Sequence, residues 1–226
     1  MKLVSSGFGL VEIMLAMTLG LVITLGLTQL FIGTKNTYVS QTAAAFMQED
    51  ARFLLSKMLQ EIRMVGMFGC LKTIDDVGKG FSAARQTPIR WDNAKQTLTL
   101  ITADVGTTGG KSDWVVISDC ESSATAYAGD HDPGLGQMKF PIREVTYTYN
   151  RRNSEISGLI KNVSAFSVLF GVANTVEDRS VSHYSANPVN PELIRSVRLN
   201  LTLSDPAKRV KDQTFMVVAA LRNRLG

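Results

Sequence analysis

Few side chains in this 226-residue sequence are spaced for bond-making chemistry. The two histidines, His131 and His183, stand far apart, and neither has a catalytic setting around it. Asp130-His131-Asp132 puts three metal-ligating types in a row. However, Gly134 stands four residues after Asp130, and no downstream glutamate falls at EF-hand spacing, so the calcium template fails. A solvated turn built on Pro133-Gly134 accounts for the loop more simply. Gly78-Lys79-Gly80 lacks the rest of a phosphate-binding loop, and Ser122-Ser123 offers hydroxyls without a base. The expectation is no catalytic residue, no enzyme activity, no cofactor and no metal. Two other placements stand out. Glu12 lies directly before an apolar run, and Cys70 and Cys120 are the only cysteines. By themselves, two cysteines do not separate a disulfide from two free thiols.

The element that carries Glu12 is unusual. No charged residue occurs from Ile13 to Gly33, and about 20 residues of helix span a hydrocarbon core. An ordinary secretory signal has an apolar region of about 7–15 residues and a small-residue cleavage site after it, so this run is too long. The Ala43-Ala44-Ala45 cluster comes well past it. An acidic side chain near the centre of a spanning helix costs about 2.5–3.5 kcal/mol on insertion scales. Glu12 therefore either has a partner or sits solvated at the interface; the residues alone leave both open.

Helical periodicity continues beyond the apolar run. Met47, Ala51, Leu54, Leu55, Met58, Ile62 and Val65 recur at three- and four-residue steps, as one apolar face requires. Glu49, Asp50, Arg52, Lys57, Glu61 and Arg63 fall mainly off that stripe, with Lys57 and Glu61 as an (i, i+4) pair. No proline interrupts Phe8 to Val65, and Gly66 and Gly69 end the pattern. A continuous helix of that extent would be about 85 Å long.

After Gly69 the chain turns to short β-rich segments: 98–101, 114–117, 145–149, 166–170, 197–203 and 215–220. Long loops are expected at 71–97, 119–140 and 171–193. Antiparallel sheet packed on the helix makes the fold class α+β. Hydrophobic residues are 45% and charged residues 19%, which excludes a disordered chain and a polytopic membrane protein. The net charge of +4 is spread over 24 basic and 20 acidic residues without a dense run, so no nucleic-acid track is expected.

Gly7-Phe8-Gly9-Leu10-Val11-Glu12, followed by the apolar run and the long helix, resembles the class III signal of type IV prepilins and type II secretion pseudopilins. The resemblance implies cleavage between Gly7 and Phe8 by prepilin peptidase, and N-methylation of Phe8. It makes Glu12 the fifth mature residue, an assembly residue whose carboxylate pairs with a neighbour's terminal ammonium in the filament core. Residues 1–7 become the leader, 8–35 the transmembrane or filament-core half of the helix, 36–66 its amphipathic half and 67–226 a periplasmic β-rich head. One departure is Gln29, where major pilins commonly carry a proline; Gly20, Gly26 and Gly33 could supply flexibility or close packing instead.

Gly69-Cys70 after the helix, Ser112-Asp113 before a strand and the 218–225 ending VAALRNRL resemble minor pilins of the PilW type. That resemblance implies a non-enzymatic subunit in the inner membrane lipid, single-pass, and later in the pilus, at its tip. Its partners would be other minor pilins and the major pilin, with which it primes assembly, and a large tip adhesin; adhesion and twitching motility would follow. The J-type minor pseudopilin of type II secretion is the near alternative, and a membrane-anchored periplasmic binding domain is the alternative of another class. A periplasmic head further implies a Cys70–Cys120 disulfide.

Overall fold

In a computed structural model the described residues are 9–77, 80–104 and 111–224. Helix α1 runs Leu10–Met64, within two residues of the expected start and one of the expected end. Its last turn tightens through Val65 N–H to Ile62 C=O at 3.2 Å and Met67 N–H to Met64 C=O at 3.1 Å. Gly66 then takes φ +81°, a left-handed conformation that ends the helix where a side chain would be strained.

The chain forms two compact units, 1–46 and 47–226. The first consists of the N-terminal part of α1. Its large apolar side chains from Leu10 to Ile32 are 48–75% exposed. The hydroxyls of Thr18, Thr24, Thr28 and Thr37 donate to carbonyls three or four residues back, at 2.7–3.0 Å, so none needs water.

The second unit begins with the amphipathic part of α1 and holds two sheets. In the first sheet are β1 (Asp75–Asp76), β2 (Ile89–Asp92), β3 (Thr97–Ala103), β4 (Trp114–Ser118), β5 (Ala124–Ala128), β6 (Met138–Asn150) and β7 (Glu155–Ile156). Their order is β1-β5-β4-β6-β3-β2, with β7 folded onto β6. All pairs are antiparallel except β1 with β5. The second sheet, fully antiparallel, has β8 (Val163–Val172), β9 (His183–Ser185), β10 (Ile194–Leu203) and β11 (Gln213–Ala220) in the order β11-β10-β8-β9. A short helix α2 covers Phe81–Gln86.

One apolar cluster joins Leu54, Met58 and Ile62 of α1, and Val65 just after it, to Leu98, Leu100 and Tyr147 of the first sheet and to Val168, Phe170, Val197, Leu199 and Leu201 of the second. The helical stripe evident in the sequence is the surface that both sheets cover. A smaller cluster gathers Phe68, Phe81, Ile101, Val116, Ala126 and Ile142, with Phe68 and Phe81 edge to face at 5.3 Å. All six expected strands are present. The expected loops are shorter: 71–97 contains β1, α2 and β2, 119–140 contains β5, and 171–193 contains β9. Strand β5 reads Ala124-Thr125-Ala126-Tyr127-Ala128, too poor in branched residues to signal a strand alone; pairing with β4 makes it one.

Candidate functional site

Gly7 and Phe8 lie outside the described residues. Glu12 is exposed in the first turn of α1. Its Oε2 accepts the Gly9 N–H at 3.3 Å, so the carboxylate caps an orphan donor of its own helix. Around Gly9, Gly20, Gly26 and Gly33, apart from their own neighbouring backbone, no described atom lies within 4 Å of where a Cβ would stand. The helix thus presents an uninterrupted apolar surface with one carboxylate at its start. An 18-residue window reaches mean hydropathy 2.2 with no residue buried, long and apolar enough to cross a membrane.

Cys70 and Cys120 are bonded, with Cα atoms 5.4 Å apart. The bridge ties the segment after α1 to the β4–β5 turn. That turn is built by Asp119, whose Oδ1 accepts the N–H groups of Glu121, Ser122 and Ser123 at 2.9 Å while Oδ2 accepts both serine hydroxyls. These donors, the Ser123 and Ser122 contacts foremost, hold the Asp119 carboxyl well below the usual range. Cys120 itself sits at φ +62°, and its N–H donates to Ser118 Oγ at 2.9 Å. Ser122 and Ser123 are therefore turn-builders.

The Asp130–Asp132 loop is closed by a cation from its own chain. Lys139 Nζ reaches Asp130 at 2.5 Å and Asp132 at 3.5 Å, and His131 stacks on Tyr127 at 4.2 Å between centroids. Lys139 holds the Asp130 carboxyl below its ordinary value. Among the described residues no three His, Cys, Asp or Glu side chains gather as a metal site. His183 lies on the edge strand β9, exposed. Gly80 precedes α2 at φ +117°, and Gly78-Lys79 falls outside the described residues.

Two buried polar sites are not evident from the sequence. Glu61, expected off the apolar stripe, is only 7% exposed. Its Oε2 accepts the Tyr147 hydroxyl at 2.6 Å, its Oε1 the Lys57 ammonium at 2.8 Å, and its main-chain carbonyl the Thr102 hydroxyl at 3.3 Å. The (i, i+4) pairing with Lys57 is real, but β6 and β3 cover it. The available signal is the alternation Val145-Thr146-Tyr147-Thr148-Tyr149, which sends both tyrosines to the core face. Burial and the adjacent carboxylate push the Tyr147 hydroxyl pKa far up, so it stays a donor.

The second site is Arg195, buried at the start of β10. Its guanidinium donates to the carbonyls of Asp178 and Val176 at 2.7 Å and Glu192 at 2.6 Å, pinning the 173–182 segment. The C-terminal turn (Arg222–Arg224) also serves the architecture, because Asn223 Nδ2 donates to the Val65 carbonyl at 3.1 Å and so caps the end of α1.

These polar clusters are satisfied from within and stabilise the fold, whereas the apolar helical surface headed by Glu12 has no cover among the described residues. Chemically it can insert in lipid or pack on other apolar helices. No family model, curated protein or solved structure matches the chain at a significant level.

Proposed function

We propose that the chain is a minor pilin of the PilW type, a structural subunit held in the inner membrane by α1 until it enters a type IV pilus. There it primes assembly in a tip complex with other minor pilins. The observation that carries the reading is the exposed apolar run of α1 from Leu10 to Ile32 with the single carboxylate Glu12 in its first turn. A simple anchor needs no such carboxylate, and a charge kept in apolar surroundings calls for an opposite one. Cleavage after Gly7 would create an ammonium on Phe8, four residues before Glu12. Within one chain Glu12 caps Gly9; in a filament the neighbouring subunit's ammonium replaces that weaker contact and sets axial register.

N-terminal mass spectrometry of membrane-extracted protein tests the processing. A methylated Phe8 is expected; retention of residues 1–7 in a strain with active prepilin peptidase overturns the reading. Glu12→Ala should abolish the chain's support of piliation, and piliation equal to wild type would remove the register role.

A further inference from the structure

Strand β11 closes one end of the four-stranded sheet, pairing with β10 over eight consecutive residues without a bulge. The Leu221 N–H donates to the Arg195 carbonyl at 2.9 Å, which sets the phase of the ladder. Residues 213, 215, 217 and 219 therefore direct their backbone groups to β10. Thr214, Met216, Val218 and Ala220 direct theirs outward, and among the described residues these meet no backbone partner. Their side chains are exposed as well, Met216 at 62% and Val218 at 47%. Proteins blunt a free edge with charge, proline, a bulge or brevity. From Gln213 to Ala220 there is no charge and no proline, and the strand is eight residues long.

We infer that the β11 edge receives an added strand from a different protein, an extended apolar segment flanked by carboxylates. The flanks of β11 decide the occupant. Residues 204–212 and 221–226 contain Lys208, Arg209, Lys211, Arg222 and Arg224 against Asp205 and Asp212; Asp205 and Arg209 pair with each other at 2.8 Å, which leaves four basic residues against Asp212. In an antiparallel pair of two β11 strands, the basic segment before one strand meets the basic segment after the other at both ends. Like charges so placed repel, so a second copy is disfavoured and acidic flanks are favoured. Backbone bonds give such a site its affinity and the alternate side chains its selectivity, here against Met216 and Val218.

The test uses the full chain in detergent micelles and a fluorescent peptide of about nine residues, alternating valine and threonine with two glutamates at each end. Saturable binding is expected, at least about tenfold weaker when the glutamates are replaced by lysines. Binding should vanish when alternate peptide nitrogens are methylated, a control that leaves the protein untouched. Val218→Pro removes one outward N–H and no bond to β10, so it should weaken binding at least about tenfold with an unchanged unfolding midpoint. Absence of binding, equal binding of both peptides, or survival after methylation overturns the inference. So does a dimer of the chain that Val218→Pro dissolves, since the occupant would then be a second copy.

Discussion

Within the single helix α1, one stretch keeps its apolar side chains out and another hides them. Leu21, Leu25 and Leu30 are more than half exposed, whereas Leu54, Met58 and Ile62 are wholly buried. Composition alone does not separate them, because both stretches are rich in Leu, Ile and Met. Periodicity does. The early stretch is apolar on nearly every side, long and apolar enough to cross a membrane, whereas the later one is apolar on a stripe that two sheets cover. One helix thus carries two kinds of apolar surface, one uncovered among the described residues and one buried under the two sheets.

The contrast can be tested by removing support from the head alone. Replacing both cysteines by serine should cost the head about 4 kcal/mol, from the chain-entropy estimate for a loop of about 50 residues. Urea unfolding followed by Trp91 and Trp114 fluorescence would measure this, and helicity of residues 10–46 in micelles should not change. Leu54→Ala should lower head stability by about 2–5 kcal/mol in the same assay, because it opens a cavity in the cluster common to both sheets.

Tyr147→Phe should cost about 1–3 kcal/mol, since Glu61 loses one of its two side-chain donors inside the core. It should also change the alkaline limb. The folded Tyr147 pKa is raised, so its contribution is whole below the unfolded value of about 10 and is lost as pH rises from there toward the folded value. The unfolding free energy measured from pH 9 upward should fall less steeply in the phenylalanine variant. The smallest effect belongs to the early stretch: Leu21→Ala should shift head unfolding by less than about 0.5 kcal/mol. A large loss there would break the comparison.

Much of the fold is legible in the order of the residues. The start and end of α1 follow from the uninterrupted periodicity and from Gly66, and all six expected strands lie where branched and aromatic residues run together or alternate. Strand β5 is not legible, because alanine and threonine become a strand there only when β4 and β1 lie on either side. Glu61 is misleading for a related reason. An (i, i+4) partner is a local fact, whereas coverage by β6 depends on residue 147, 86 positions away. The resemblance to prepilins rests on Gly7-Phe8-Gly9-Leu10-Val11-Glu12 with the apolar run and the long helix, and of these Gly7 and Phe8 lie outside the described residues.

The sequence by itself determined the α+β class, the apolar helical run with its lone carboxylate and the amphipathic stripe, because hydropathy and periodicity are properties of neighbouring residues. Only the tertiary structure decided that Cys70 meets Cys120, that Lys139 occupies the Asp130–Asp132 loop and that Glu61 is enclosed. It alone showed that β11 ends a sheet with its outer backbone groups unpaired among the described residues. Those are pairings across the chain, and the free energy that selects them belongs to burial and closure of the whole head.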